Sequence, residues 1–395
     1  MALRNFTASL LLCSLLLEAS DAPLSAFKKE QIAIDKEIDA KKASNLKYDW
    51  VKPIVASYTY AVSDQYALEN KSRYFRISLD QPIFKSGGIY FAIEYAKASK
   101  SFAKIATTLR EQNLIKSLYD TVLGLQKLDL QIQKLQLQIA NAKMDIARKK
   151  EQFESGLLDS SFLDNAILAK SAREQAVLDS KQRRFALLQT FKNISDVGYK
   201  TITLPQFKMV DKEEFIAKNL ALQSAKREKS QQRYLKNMTI SSYLPTVSLF
   251  GDYANRKDSF RPFKQNNESK NYGIRVSMPL FDINCGRSIE IKKLEYLKSQ
   301  IALKDKKREI ENSFETFKND IAILEKRQEI AYHDSQLYSA LLQVARDGFK
   351  AGEKTKLDVD TLANSKRMAT LDAKMYAIDI QRKFLELYTK MRDEI

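Results

Sequence analysis

The sequence predicts a mainly α-helical chain with a smaller β portion, built from one structural unit that is written twice. Glycine and proline are scarce, at 10 and 7 of 395 residues, which favours long uninterrupted helices over a strand-rich fold. Proline is absent from residues 83–204 and again after Pro279. Both proline-free tracts follow similar phrases, which indicates that the second half of the chain repeats the first.

Residues 1–22 have the anatomy of an export signal peptide. Arg4 supplies the positive charge, an apolar run ends at Leu17, and small residues follow up to Ala22. The run is too short for a membrane-spanning helix, so we expect an exported protein whose signal is removed. Two alternatives stay open, namely a buried N-terminal helix and a lipid attached to Cys13.

Two pairs of matching phrases divide the rest of the chain into a first repeat, 23–205, and a second repeat, 206–395. The phrase Phe-x-x-Gly ends at Gly156 in the first repeat and at Gly352 in the second. The other phrase marks a strand-to-helix transition, with Pro82, Phe84 and Gly87 in the first repeat and Pro279, Phe281 and Gly286 in the second. Each repeat is predicted to contain a helix, two strands and a long helical hairpin, and the two repeats are expected to interweave in one protomer.

The opening helices are predicted over 25–50 and 211–243, and a much longer helix follows the strands of each repeat. Apolar residues of the long helices alternate spacings of four and three, which is the heptad pattern of coiled coils. From Gly88 to Glu154 such a helix would extend roughly 100 Å, so it must pack against other long helices. In the second repeat the series runs Ile310, Phe314, Phe317, Ile321, Leu324, Gln328, Ala331, Ser335, Tyr338, Leu342, Ala345 and Phe349.

Each long helix is predicted to stop at a glycine and to restart as a return helix. Gly156 and Gly352 suit the left-handed position that ends many helices. The segments Ser161–Asp164 and Thr355–Asp358 have the pattern of a capping box, which starts a helix. Each repeat should therefore form one antiparallel helical hairpin whose tip lies near Gly156 or Gly352.

Four segments alternate polar and apolar residues with the period of a β-strand, namely 54–63, 74–80, 246–253 and 271–278. They run about seven to ten residues, close to a tilted membrane strand, and the polar stretches 64–72 and 255–270 are predicted as loops. In a membrane, strands must close into a barrel. Four strands are too few, because the smallest single-chain barrels have about eight, so several chains would pool their strands. The alternative is a pair of ordinary hairpins packed on the helices.

Composition argues against an enzyme, a cofactor site and a metal site. One histidine and two cysteines are too few for a His-built metal site or a disulfide framework, and they argue against a His-based catalytic triad. Gly348–Thr355 looks like a phosphate loop, but Glu353 separates the second glycine from the lysine and no strand precedes it. The net charge is +17, yet Asp and Glu are interspersed among the Lys residues, which argues against binding of nucleic acid.

The order strand, strand, helix, helix, written twice, resembles that of the TolC-like outer-membrane channel proteins. The resemblance covers nearly all of the mature chain and rests on the paired strand–Pro–Leu/Ile–Phe–Gly transitions, the two Phe-x-x-Gly tips and the run Gly352–Val359. It implies a homotrimer with an outer-membrane β-barrel of about 12 strands that continues into a periplasmic α-helical tunnel. It also implies an exit duct for tripartite efflux or type I secretion, with a periplasmic adaptor and an inner-membrane transporter as partners. Because the chain is short, the middle, equatorial region of the family would be minimal.

The resemblance further implies that acidic and basic side chains at the hairpin tips close the periplasmic entrance. Asp358 stands at the acidic position of the family after the tip glycine, and Lys354 stands where a basic gate residue is expected. The next acidic position holds Thr361, with Asp360 one residue earlier. Asp358 also fits a capping role, which is compatible with gating, and Asp164 shows the same cap pattern in the first repeat.

Three hypotheses for the function follow from these patterns. The favoured one is a passive outer-membrane duct. The alternatives are a periplasmic coiled-coil adaptor or scaffold without its own pore, and a cytosolic basic coiled coil that binds nucleic acid. The duplicated amphipathic strand pairs favour the duct, because neither an adaptor nor a scaffold needs a lipid-facing strand.

Overall fold

The computed structural model describes residues 23–65, 68–259 and 264–391, and the predicted signal segment lies outside the described residues. The order helix, strand, strand, helix, helix occurs twice along the described chain, with the opening helix of the second series in two pieces. The first series comprises helix α1 (Ala26–Tyr48), strands β1 (Val55–Gln65) and β2 (Leu68–Phe84), and helices α2 (Gly88–Glu154) and α3 (Ser160–Lys192). After a 3-10 turn at Tyr199–Thr201, the second series comprises α4 (Lys212–Lys218), α5 (Leu220–Ser242), β3 (Thr246–Ser259), β4 (Lys264–Ser277), α6 (Cys285–Lys350) and α7 (Lys356–Tyr388).

The chain forms two compact units, and each takes segments from both predicted repeats. Of the described residues, the helical unit comprises those up to Ala33, Arg110–Asp211 and those from Phe314 onward, whereas the sheet unit comprises those in Ile34–Leu109 and Lys212–Ser313. Within the described ranges the architecture is mostly helical with one four-stranded antiparallel sheet, which confirms the predicted mainly α fold class. None of the helices in the described part of the chain is long and apolar enough to cross a membrane.

The core of the helical unit forms where α2, α3 and α7 bring their apolar faces together. Leu118 and Leu125 of α2 and Leu385 of α7 are fully buried, and Phe191 of α3 belongs to the same cluster. Spacings of four and three place these residues along one face of each helix, where burial removes them from water. The heptad series predicted for α6 is confirmed by its buried members Ile310, Phe314, Phe317, Ile321, Ala331, Leu342 and Ala345.

The second opening helix differs from the predicted 211–243, because Asn219 divides it. Buried Asn219 caps α5, since its side-chain oxygen accepts hydrogen bonds from the N–H groups of Ala221 and Leu222 at 3.0 and 3.2 Å. An asparagine offers the backbone such local bonds in place of helical ones, and hydrophobic periodicity does not show this competition. The prediction of one continuous helix was therefore wrong.

The sheet has the strand order β1-β2-β3-β4, and all neighbouring strands are antiparallel. Its strands are longer than predicted, with 17 residues in β2 and 14 in β4. The predicted loops 64–72 and 255–270 were therefore wrong over most of their length. Ladder hydrogen bonds are made by the backbone and continue where both faces are polar. Side-chain alternation marks only the part of a strand that has one apolar face.

The passage from the sheet to the long helix differs between the two halves of the chain. In the first half, Gly87 adopts a φ of +86° directly before α2. In the second half, Gly286 is already a helical residue of α6, so the two glycines do not occupy equivalent positions. Of the other predicted transition residues, Pro82 and Phe84 lie in β2 beside a register shift, and Pro279 and Phe281 lie between β4 and α6.

Each helical hairpin turns at a glycine in the left-handed conformation, as predicted. The φ angle is +73° at Gly156 and +80° at Gly352. The N–H of Glu353 donates to the Gly348 carbonyl at 2.8 Å, and the N–H of Gly352 donates to the Phe349 carbonyl at 3.1 Å. The same pattern surrounds Gly156. It is the Schellman arrangement, which satisfies carbonyl groups that a helix end leaves without partners.

We expect Gly352→Ala to lower the free energy of unfolding by about 1–2 kcal/mol, because an L side chain is strained at this φ. Gly286→Ala is the matched control, since Gly286 is helical and an added Cβ meets no atom within 4 Å. Urea unfolding followed by the helical circular dichroism signal measures both variants. Equal midpoints for the two variants would contradict a conformational role for Gly352.

Candidate functional site

The tip of the second hairpin holds Asp358 in a capping box with Thr355. The N–H and the hydroxyl of Thr355 donate to Oδ2 of Asp358 at 3.1 and 2.8 Å, and the Asp358 N–H donates to Oγ1 of Thr355 at 3.2 Å. These bonds, led by that from the Thr355 hydroxyl, lower the pKa of Asp358 below the ordinary aspartate value. The predicted capping box is confirmed, and its carboxylate is held in the charged form.

The same carboxylate reaches across to the first hairpin. Arg148 of α2 donates to Oδ1 of Asp358 at 3.3 Å, and its charge lowers the pKa of Asp358 further. The two side chains are 46% and 33% exposed, so this ion pair is open to solvent. One carboxylate therefore caps α7 through one oxygen and joins the two hairpins through the other. Sequence reasoning found Asp358 and missed Arg148.

The other predicted tip residues of the second hairpin have separate environments. Lys354 lies over Gly348, where an added Cβ would come within 2.9 Å of its Cγ, and its charge contributes to the lowered pKa of Asp358. Asp360 is half-buried and, two residues beyond Asp358, lies on a different face of α7. In the described ranges, no group of His, Cys, Asp or Glu side chains, at the tip or elsewhere, could hold a metal ion. The tip thus brings Arg148, Lys354 and Asp358 together and leaves Asp360 apart from them.

The return helix of the first hairpin begins differently from the prediction. Asp159 is the N-cap of α3, and its carboxylate accepts a hydrogen bond from the Ser161 N–H at 2.8 Å. Asp164 is consequently an exposed residue inside the helix, and the capping box predicted at Ser161–Asp164 was wrong. An equally good capping residue occurs earlier in the chain, directly before the helix, and Asp159 beside two serines was the available signal.

A ladder of polar side-chain pairs continues from the tip along the seam between α2 and α7. The α2 members recur at every seventh residue, which places them on one flank of the helix. The pairs are Asp120–Arg382 (2.7 Å), Lys127–Asp379 (2.7 Å), Lys134–Asp372 (2.7 Å), Asn141–Asn364 (2.8 Å) and Arg148–Asp358 (3.3 Å). Flanking pairs of this kind determine which helices pair and in which register. Sequence reasoning identified the apolar heptads and missed this polar one.

One face of the sheet is apolar and exposed. Residues directly opposite each other on antiparallel strands share a face, and the pairing of Ile77 with Tyr253 shows how the apolar residues align. On β4, Tyr272 is 86% exposed and Val276 is 69% exposed. Soluble monomers rarely expose so large a continuous apolar patch. This apolar face comprises Tyr58, Phe75, Ile77, Leu249, Tyr253, Tyr272, Ile274 and Val276.

The opposite face of the sheet, called here the polar face, carries ion pairs. Arg76 pairs with Asp252, and Arg275 pairs with Asp80 at 2.5 Å. Phe250 interrupts the predicted alternation of β3 and lies on this face, with the guanidinium of Arg275 at 4.6 Å from the centre of its ring. A sheet with one apolar face and one charged face suits a wall between lipid and water.

No protein-family model matches the chain, and no curated protein matches it in sequence. Solved structures match it over nearly its whole length. The outer membrane protein VceC of Vibrio cholerae is 13% identical, with a TM-score of 0.67 over 92% of this chain and 93% of VceC. The CmeC outer membrane channel of Campylobacter jejuni is 14% identical, with a TM-score of 0.67 over 91% of this chain and 82% of CmeC. The open-state MtrE outer membrane channel of Neisseria gonorrhoeae is 12% identical, with a TM-score of 0.65 over 91% and 85%.

These structures share the architecture of the chain over 91–92% of its length. The chain has the TolC-like fold. The resemblance that the duplicated strands and hairpin tips indicated is thereby confirmed at the level of architecture. In the TolC-like fold of this chain, α2–α3 and α6–α7 are the two helical hairpins, and β1–β4 form the strand portion.

Proposed function

We propose that this chain is the protomer of an outer-membrane exit duct, which conducts substrates passively from the periplasm to the exterior. The observation that carries the proposal is the sheet with one apolar face and one charged face in a chain of TolC-like fold. The edge strands β1 and β4 leave backbone groups that lipid cannot satisfy. Three copies that pool their sheets into a closed barrel of about 12 strands would remove these edges. The apolar face would then meet lipid, and the polar face would line water.

The helical hairpins of the three protomers would form a periplasmic tunnel. At its entrance we propose contact with a periplasmic adaptor and an inner-membrane transporter, as in tripartite efflux or type I secretion. The transporter would supply the energy and most of the selectivity, since a passive duct requires no catalytic group or cofactor. The names of CmeC and MtrE as outer membrane channels support the duct itself.

The tip of the second hairpin would act as the periplasmic gate. In a trimer, three Asp358 carboxylates would face one narrow axis, and such a ring repels anions and favours cations. Each Arg148–Asp358 pair would hold the two hairpins of one protomer together. This pair is the longest of the ladder, so the hairpins would separate first at the tip while the shorter pairs keep the register of α2 and α7.

Two measurements on one preparation test the proposal. The mass of the detergent-extracted particle, corrected for bound detergent, should correspond to three chains recovered from an outer-membrane fraction. The same particle should give stepwise conductance in a planar lipid bilayer. A water-soluble monomer or dimer that needs no detergent would overturn the duct and favour the periplasmic adaptor or scaffold.

A charge on the apolar face should prevent assembly in the membrane. We expect Tyr272→Lys to abolish most of the outer-membrane trimer, because Tyr272 lies near the middle of the apolar face, where a lysine in contact with lipid costs about 2–4 kcal/mol. Asn271→Lys is the matched control, since Asn271 lies on the same strand but on the polar face. The amount of trimer in outer-membrane fractions measures both variants. Equal loss in both would contradict the proposed orientation of the sheet.

A further inference from the structure

The apolar face changes character along its strands. At the ends of β2 and β4 that lead into α2 and α6, it is lined by residues such as Val247 and Val276, which are directly opposite each other. Toward the opposite ends of the strands, the same face carries basic side chains. We name Lys71, Arg73, Lys257 and Lys270 the basic band, and all four are exposed.

The register of the sheet places two members of the basic band side by side. Arg73 of β2 is directly opposite Lys257 of β3, and Tyr60 of β1 is opposite Arg73 on the other side. Like charges directly opposite each other destabilise a strand pair, because their Cβ atoms are only about 5 Å apart. An anion between Arg73 and Lys257 would remove this repulsion. The pair therefore offers two neighbouring cations to one phosphate, which arginine binds through two parallel hydrogen bonds.

The surroundings of the basic band are those of a membrane interface. Lys270 is opposite Tyr253, with its Nζ at 6.0 Å from the ring centre, and it pairs with Glu268 at 3.1 Å. Tyr60 lies in the same row as Arg73 and is 51% exposed. Tyrosines commonly occupy the level of the lipid headgroups, where one end of the ring is apolar and the other meets water.

The distance from the base of the apolar face to the basic band agrees with the thickness of a membrane. From Val247 to Lys257, β3 rises about 33 Å at roughly 3.3 Å per residue. A strand tilt of about 40° reduces this rise to about 25 Å along the membrane normal, which is the height of the apolar band of outer-membrane barrels. If Val247 lies at the periplasmic boundary of the lipid core, Arg73 and Lys257 lie at its outer boundary.

We infer that the basic band binds phosphate-bearing lipid headgroups of the outer leaflet, with Arg73 and Lys257 as its centre. The inference rests on the proposed function, since it requires the apolar face to meet lipid. Charge complementarity and continuity with the apolar face identify the occupant as a lipid. A phosphorylated glycolipid presents both an acyl region for the apolar face and a phosphate for the band.

Lipid retention by the purified protein tests the inference. The probe is lipid A, a phosphorylated glycolipid, added to the detergent-solubilised particle, and its dephosphorylated form is the ligand control. Native mass spectrometry counts the bound lipid. We expect Arg73→Gln/Lys257→Gln to weaken lipid A binding on the order of tenfold, because each cation near a phosphate adds severalfold to affinity. Arg256→Gln/Arg287→Gln removes the same charge from the polar face of β3 and from α6, and should change binding by less than about twofold.

The outcomes separate the lipid site from the duct, because conductance is recorded for every variant. Equal binding of lipid A by the two double variants, or equal binding of lipid A and its dephosphorylated form, would overturn the lipid site even if conductance is normal. Phosphate-dependent binding that is lost only in Arg73→Gln/Lys257→Gln supports the site. A particle that binds lipid A in this way but never conducts would overturn the duct and leave the lipid surface in place.

Discussion

In the proposed duct, Arg148→Glu should shift the gate at the hairpin tip from the closed toward the open state by on the order of a hundredfold. The substitution removes an ion pair worth about 0.5 kcal/mol and adds a repulsion of similar size in each protomer. For three protomers this amounts to about 3 kcal/mol, and every 1.4 kcal/mol corresponds to a factor of about ten. The open probability of single trimers in a planar bilayer measures the shift.

A neighbouring residue provides the control for this substitution. Lys150→Glu makes the same change of charge on the same helix, but Lys150 is 64% exposed and pairs within α2 with Glu154. We expect Lys150→Glu to leave the open probability nearly unchanged. If both variants open the channel equally, the total charge of the tip controls gating, and the pairing of Arg148 with Asp358 does not.

The pH dependence of the proposed gate follows from the two contacts of Asp358. Arg148 lowers the pKa of Asp358 while the tip is closed, whereas the Thr355 cap lies within α7 and lowers it in both states. The pair therefore favours the closed state while Asp358 is charged, and this preference is lost as the pH falls through the lowered pKa. The gate should therefore stay closed from neutral pH down to the ordinary aspartate value of about 3.9 and open only below it. Thr355→Val removes the largest cause of the lowered pKa and should move the onset of opening to higher pH. Bilayer recordings over a pH series measure the onset, and an unchanged onset in Thr355→Val would contradict the role of the cap.

The long helices could be predicted from the sequence because their signals are local and repeated. The apolar heptads, the absence of proline and the glycine after each helix all indicate the same elements, and the predicted limits Gly88 and Glu154 are the observed ones. The strand ends could not be predicted in this way. Their pairing depends on backbone hydrogen bonds between distant segments, and polar side chains on both faces give no signal.

The partners of the tip residues also cannot be predicted from local sequence patterns. Arg148 occupies a heptad position with Asp120, Lys127, Lys134 and Asn141, so its spacing is visible in the sequence. The register of α2 against α7 is not visible, because it depends on how antiparallel helices from different repeats meet. The pairing of Arg148 with Asp358 could therefore be identified only from the fold. The charge of Asp358 and its role as a cap could be predicted from the sequence.

Leu125→Ala should lower the free energy of unfolding of the helical unit by about 2–5 kcal/mol. Leu125 is fully buried in the same cluster as Leu118, Phe191 and Leu385, and the truncated side chain would leave a cavity that the long helices cannot readily close. Urea unfolding of the detergent-solubilised particle at fixed protein concentration, followed by the helical circular dichroism signal, measures the change. Leu157→Ala is the same substitution at a side chain that is 78% exposed, and it should cost less than about 0.5 kcal/mol.

A substitution in the ladder, compared with Leu125→Ala, separates the contribution of the polar pairs to the free energy of unfolding from that of the apolar core. Lys134→Gln removes a pair whose two side chains are each 28% exposed, and we expect a cost of only about 0.5–1 kcal/mol. A larger cost for Lys134→Gln than for Leu125→Ala would contradict a division in which apolar packing stabilises the helices and polar pairs set their register. If the division holds, the pairs can separate and re-form at the tip without unfolding the hairpins, because the packing that stabilises the helices lies elsewhere. The proposed gate, made of weak pairs on a strongly packed support, would then open at low energetic cost while the wall of the proposed tunnel stays intact.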